Sequence, residues 1–322
     1  MHAVQVVAPG KIEFIEIEQP TLQPGHVIVR PRYLSLCGSD VHMVYYADPH
    51  EYPFGVGSSG HEMVGVVEAV DAPGSGIAVG DWALTLSPPQ LAMTECLQAP
   101  ADHVFVLPPH RAPQLLLQAQ QLGTVIYSCK RLPNVLGKTA VVIGQGSAGL
   151  YFDFMLRRMG ASQVIGIDLQ AARVAAAPLF GATHVIHNAT TDALAAVAEL
   201  TNGALADVVV EAAGDPAAIN LAVHLVKRYG HLLYFGMPRA QTFPFDFGAL
   251  YTKYCTTLSN SGTAFEPGHL STKQALQLIA SGEIDVEPLI THTFPFARVM
   301  DAYALAHSRG DNCIKIVVEL SE

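Results

Sequence analysis

Apolar and polar positions along this chain follow two different rhythms, and the change falls near residue 120. Before it come short β-type runs: VQVV, KIEFIEI, HVIVRPRYLSL, MVGVVEAV, DWALTL and HVFVLP. They are parted by APG, QPG, DAPGSG and SPP, clusters of the residues that make turns. This pattern predicts a compact, barrel-like β domain. After residue 120, TAVVIG, QVIGID, THVIHN, DVVVEAAG and HLLYFG alternate with helical segments. Those segments are SAGLYFDFMLRRMG, AARVAAAPLFG, DALAAVAELTN and PAAINLAVHLVKRYG. The strand runs are apolar throughout, as buried parallel strands should be. The second part is therefore expected to be α/β, a doubly wound parallel sheet. The last stretch, ending DNCIKIVVEL, supplies a further helix and a closing strand, which either extends that sheet or returns to the first domain.

Composition narrows the function classes. The chain has 322 residues, half of them hydrophobic and 14% charged, enough for two cores of ordinary size and too apolar for disorder. Its net charge is −10 and it has no lysine/arginine-rich run, which argues against nucleic acid or an anionic membrane as partner. MHAVQVVAPGKIEFIEIEQP has no basic region followed by an apolar core, so no secretory signal is expected. Apolar stretches are broken by Gly, Asp, Arg or Pro well short of the ~18 residues a membrane span needs. Five cysteines, at 37, 96, 129, 255 and 313, are odd in number, widely spaced and without a CxxC pair. That usage predicts reduced thiols and a cytoplasmic location.

TAVVIGQGSAGL places Gly144, Gly146 and Gly149 in a G-x-G-x-x-G pattern at the turn from strand to helix, with Ser147 and Ala148 between the last two. The first glycine permits the tight turn, the second lets a pyrophosphate approach the backbone, and the third lets helix and strand pack closely. The phosphates would meet the free N–H groups and positive dipole end of the helix. Asp168 closes the next strand, where a carboxylate would take the adenine ribose hydroxyls. Its charge would repel a 2′-phosphate, which favours NAD over NADP. Arg173 is a candidate beside the adenine.

CGSDVH at 37–42 and GHE at 60–62 raise a second chemistry. Cys37, His61 and Glu62 are of the types that hold a catalytic zinc, three protein ligands with a fourth position open. Alone, Cys37 reads as a small buried hydrophobe and His61 and His42 as hydrogen-bonded side chains. Beside a nicotinamide-binding pattern the zinc reading is favoured, because zinc lowers the pKa of bound water to ~7 and should act similarly on an alcohol.

CGSDVH, GHExxGxV as GHEMVGVV, GD at 80–81 and GxGxxG as GQGSAG together resemble the zinc-dependent medium-chain alcohol dehydrogenases, most like the sorbitol (polyol) and threonine dehydrogenase branch. The resemblance runs from the first strand to KIVVEL. It implies a GroES-like β-barrel catalytic domain, residues 1–120 and 263–322, and a Rossmann NAD-binding domain, residues 121–262. It implies Cys37 and His61 as zinc ligands and Glu62 as a ligand that binds directly or exchanges. Ser39 and His42 match the family's proton relay, and Asp40 the acid that steadies a zinc ligand. The implied cofactors are NAD and one catalytic zinc per subunit, and the implied assembly is a homodimer or homotetramer, with CTTLSNSG a candidate edge. The remaining ligand position falls on Gln120, whose amide oxygen is a poorer ligand than thiolate or carboxylate. The family's lobe of four closely spaced cysteines is missing; Cys96 stands alone, and Cys129, Cys255 and Cys313 are read as core. Tyr45, Tyr46, His50, Glu51 and Phe54 are candidates for the wall of an alcohol pocket. The substrate stays open among polyols, secondary alcohols and aryl alcohols. A zinc-free quinone or enoyl reductase and a non-catalytic NAD-binding protein are the alternatives.

Overall fold

The structure, a computed structural model, describes residues 1–86, 90–260, 262–263 and 266–320. Ser87, Pro88 and Pro89, read above as a turn, and Ser261 of CTTLSNSG lie outside the described residues. The chain divides into two compact units, Met1–Gly123 with Ala264–Glu322, and Thr124–Thr263.

In the first unit the described strands form a seven-stranded sheet. Its order is Ile290–Pro295, Lys315–Glu319, His26–Ser35, Glu62–Asp71, Trp82–Leu86 and Val104–Val106, with Leu97–Pro100 also pairing with His26–Ser35. His2–Ala8 and Lys11–Glu16 make a separate antiparallel hairpin. The closing strand thus returns to the first unit. It pairs antiparallel to His26–Ser35, with Val317 opposite Ser35. On the other side Ser35 is opposite Glu62. Residues directly opposite share a sheet face, as do residues two apart on one strand, so Ser35, Glu62, Val317 and Lys315 all face the same way. The register slips next to Pro31, which cannot donate to the ladder. Gly65 faces this irregularity, where a Cβ would collide with the Arg30 carbonyl. The core behind the sheet includes Val4, Leu34, Met63, Met93, Tyr303 and Ile316. Leu97–Pro100 was missed in the sequence because it is four residues long and ends in proline.

The second unit holds a six-stranded sheet, all parallel. In space the strands run His184–His187, Gln163–Asp168, Thr139–Ile143, Ala206–Glu211, Val226–Tyr234 and Thr256–Ser259. Strand order reverses between Thr139–Ile143 and Ala206–Glu211, the switch point at which doubly wound sheets bind ligands. Val141, Ile165, Ile186, Val209 and Leu232 fill the core between sheet and helices. The helix read as PAAINLAVHLVKRYG is shorter than expected. It ends at Leu225, and VKRY belongs to the following strand. Lys253 Nζ donates to the carbonyls of His224 and Val226, at 3.3 and 2.6 Å, and so occupies acceptors at the helix end. No described helix is long and apolar enough to cross a membrane.

Candidate active site

Cys37 immediately precedes the helix Gly38–Tyr45 and its N–H donates to Asp40 Oδ2 at 2.8 Å. Asp40, fully buried, also accepts from Gly60 N–H at 3.0 Å and from His61 Nδ1 at 3.2 Å. One carboxylate therefore ties the CGSD turn to the GHE strand and fixes the His61 ring, leaving Nε2 for another partner. Cys37, His61 and Glu62 each bring one ligand atom, sulfur, nitrogen or oxygen, into a cluster no more than 4.8 Å across. Among the described residues no other three His, Cys, Asp or Glu side chains are so grouped. These donors fit zinc in kind, in number and in spacing. Burial would lower the His61 pKa, but the Asp40 carboxylate and Cys37 outweigh it and hold the imidazole well above its usual value. Asp40 moves the other way: burial would raise it, and His61 with the two backbone donors keeps it below the ordinary carboxyl range.

Glu62 has no exposed surface. Its carboxylate receives Ser35 Oγ and the ammonium of Lys315, whose Nζ lies 2.9 Å from Oε1 and 2.7 Å from Oε2. Lys315 also donates to Gln121 Oε1 at 3.3 Å, and Gln121 Nε2 donates to Cys37 Sγ at 3.5 Å. It is thus Gln121, the neighbour of Gln120, whose amide touches the cysteine; Gln120 is half-buried beside it at the start of the helix Ala119–Cys129. Sequence reading missed Ser35, Gln121 and Lys315. The available signal was a lysine opening the otherwise apolar run KIVV.

In the second unit Gly144 has φ +91°, a left-handed conformation that glycine adopts without strain. Gly146 precedes the helix Ser147–Arg158 in extended conformation, and a Cβ there would meet only Arg173 Nη1, at 3.7 Å. A Cβ on Gly149 would collide with the Gly144 carbonyl. The three glycines therefore make a turn, an open approach and a tight helix contact, as a pyrophosphate cradle requires. Asp168, buried at the end of its strand, accepts Gln145 N–H at 2.6 Å and Gln170 N–H at 2.8 Å. Those bonds fix the carboxylate against the glycine loop, with Arg173 on the loop's open side.

Comparison with known proteins finds relatives of both units. Residues 23–108 match the family model "Alcohol dehydrogenase GroES-like domain", and residues 149–281 match "Zinc-binding dehydrogenase". A sorbitol dehydrogenase of Bacillus subtilis is 26% identical, covering 96% of this chain and 93% of its own length. An L-threonine 3-dehydrogenase of the same organism is 27% identical, covering 94% and 93%. The solved alcohol dehydrogenase TADH from Thermus sp. ATN1 superposes with a TM-score of 0.83, at 26% identity and with all of both chains covered. The chain belongs to the zinc-type medium-chain dehydrogenases. It is an oxidoreductase of CH–OH donors that works with a nicotinamide cofactor.

Ser39 and His42 lie three apart on the helix Gly38–Tyr45 and so share a face. His42 Nδ1 is buried without a hydrogen-bond partner among the described residues. Tyr46 packs near His42, with ring centroids 6.4 Å apart, and Tyr45 stacks on His307 at 4.1 Å. His50 and Glu51 are exposed in a short 3-10 turn, where Glu51 accepts the Asp48 N–H. Phe54 packs edge-on against Tyr52 and the core. Cys129 and Cys313 are buried core residues, and Cys255 is half-buried against the second core. Cys96 bonds to Glu68, and burial pushes its thiol up to about 11.

Proposed function

We propose that this dehydrogenase reversibly oxidises a polyol, secondary or aryl alcohol to its carbonyl, with NAD as hydride acceptor and one zinc per subunit held by Cys37, His61 and Glu62. The observation that carries the reading is the cluster of sulfur, imidazole and carboxylate donors within 4.8 Å of one another. When bound, zinc supplies the Lewis acidity that makes an alcohol hydroxyl acidic near neutral pH. Cys37 and Glu62 provide the anionic donors, and Asp40 holds the His61 ring in the tautomer a ligand needs. Glu62 is the third ligand in preference to Gln120, since a neutral amide oxygen is the weaker donor. Ser39 takes the hydroxyl proton and His42, one helical turn away, passes it toward solvent.

Gly144, Gly146, Ser147, Ala148 and Gly149 hold the pyrophosphate, Arg173 offers its countercharge, and Asp168 takes the adenosine ribose hydroxyls. A 2′-phosphate would bring its charge against a carboxylate already fixed by two N–H groups, which supports NAD over NADP. The exposed edge strand Thr256–Ser259, with Tyr229 and Tyr254 stacked at 5.7 Å, supports a homo-oligomer joined there. The five cysteines, odd in number, widely spaced and without a CxxC pair, support a cytoplasmic location. The test is the zinc-to-subunit ratio, together with NADH absorbance on a panel of polyols, secondary alcohols and aryl alcohols before and after chelation. One zinc per subunit and turnover that is lost on chelation and restored by zinc are expected. Turnover that survives complete zinc removal would overturn the proposal.

A further inference from the structure

Asp153, on the helix Ser147–Arg158, has no exposed surface, and neither carboxyl oxygen has a hydrogen-bond partner among the described residues. Its buried helix neighbours Leu150, Phe152 and Leu156 are apolar. The strands Thr139–Ile143 and Gln163–Asp168 and the 3-10 turn Ala177–Phe180 pack on this helix. The one charged residue these three elements carry is Asp168, which accepts the N–H groups of Gln145 and Gln170. Arg157, one turn along the helix, donates to the carbonyls of Ala161 and Ser162. No cation therefore faces Asp153, and burial pushes its carboxyl well above the usual range. A protonated acid carries a donor of its own and needs an acceptor.

Gln145 offers that acceptor. It is the residue between Gly144 and Gly146, it is fully buried, and its side-chain amide lies against Asp153. Nε2 donates to the Val142 carbonyl at 3.1 Å, which fixes the orientation of the amide, and Oε1 is left without a donor among the described residues. The second N–H of Nε2 remains for the other Asp153 oxygen, so acid and amide can pair through two hydrogen bonds. Gly166 makes room for this amide: a Cβ there would come within 3.1 Å of its carbon, nitrogen and oxygen. The backbone N–H of the same Gln145 donates to Asp168 Oδ2 at 2.6 Å.

We propose that Asp153 is a positioning residue for the cofactor: its O–H donates to Gln145 Oε1, and this acid–amide pair holds the glycine loop so that Gln145 N–H keeps Asp168 aimed at the adenosine ribose. The inference rests on the NAD-binding reading above. Asp153 acts through Gln145 and Asp168, not by contact with the cofactor.

The experiment compares purified wild type with Asp153→Leu, Asp153→Asn and Gln145→Leu. Its readouts are the dissociation constants of NAD and NADP by calorimetry and infrared difference spectra at neutral pH. The difference between wild type and Asp153→Asn should contain the deuterium-sensitive C=O band of a protonated carboxyl, with other buried acids such as Glu211 cancelling. Asp153→Leu leaves Oε1 without its donor, so the NAD dissociation constant should rise about 10-fold. NADP, which gains less from Asp168, should weaken by no more than about 3-fold. Asp153→Asn keeps an N–H donor and should bind NAD within about 2-fold of wild type.

Absence of the protonated-carboxyl band would overturn the inference, as would unchanged NAD binding in Asp153→Leu or a failure of Asp153→Asn to rescue it. Equal losses for NAD and NADP would also overturn it, because a loop loosened in general weakens both alike. If Asp153→Leu does not fold, Gln145→Leu decides. There the Asp153 band should move as its O–H loses the acceptor, and NAD should weaken about 10-fold; a band that stays in place, or unchanged NAD binding, would overturn the inference. Wild type that binds neither dinucleotide would defeat the cofactor reading itself, whereas wild type that binds NAD with an indifferent Asp153 would defeat only this inference.

Discussion

Glu211, at the end of the strand Ala206–Glu211, gives the sharpest quantitative test of the second unit. Its carboxylate is fully buried. Oε1 accepts the N–H groups of Ala213 and Gly214 at 2.7 and 2.8 Å, while Oε2 has no partner among the described residues. Burial raises its pKa from 4.5 to about 7, outweighing the two N–H donors and Arg239. Below pH 4.5 the group is protonated in both folded and unfolded states, and above about 7 it is ionised in both. Between these values only the native state keeps the proton, so stability falls as pH rises. The slope is about 1.4 kcal/mol per pH unit, which over this window amounts to about 3 kcal/mol. Glu211→Gln keeps an acceptor for Ala213 and Gly214 but cannot titrate. Urea unfolding of wild type and variant, paired at each pH from 4 to 8, isolates the term, since other titrations cancel in the difference. Relative to the variant, wild type should lose about 3 kcal/mol between pH 4.5 and 7. A difference that stays flat across that window would refute the reasoning.

Three further outcomes are expected. Asp40→Asn removes the anion that fixes the His61 ring, so zinc affinity should drop about 10- to 100-fold in a chelator competition while the fold by circular dichroism persists. Gly149→Ala drives a methyl into the Gly144 carbonyl, so stability should fall by about 1–3 kcal/mol and NAD binding, read by calorimetry, should weaken with it. Asp168→Ser should raise the NAD dissociation constant about 10-fold or more while affecting NADP less, narrowing the preference between them.

The donor grouping of Cys37, His61 and Glu62, with the Asp40 that joins its two segments, was legible because its pieces are local and chemically unusual. Cys37, Asp40 and His42 fall within six residues, and GHE adds an imidazole and a carboxylate in adjacent positions. The glycine cradle was legible for the same reason, since Gly144, Gly146 and Gly149 serve backbone geometry that no other residue supplies as well. Lys315, Gln121 and Ser35 were not. Their contact with Glu62 comes from strand register, and Lys315 is 253 residues away from its carboxylate partner in sequence. Read along the chain, Lys315 is one polar residue opening an apolar strand. Only the pairing of Ser35 with Glu62 on one side and Val317 on the other turns it inward. Gln120 and Gln121 show the same limit at the scale of one residue. Their types are identical, and helix rotation decides which amide meets the sulfur. His50 and Glu51 looked like pocket chemistry, but they form a turn in which Asp48 and Glu51 cap the local backbone.

X-ray absorption at the zinc edge on the metal-replete enzyme tests the metal site most directly. The expected spectrum has one sulfur near ~2.3 Å and nitrogen or oxygen donors near ~2.0–2.2 Å. The sulfur signal should vanish in Cys37→Ser, and the imidazole signal should diminish in His61→Ala. A zinc shell without sulfur, or one that both substitutions leave unchanged, would show that Cys37 and His61 do not share the ion.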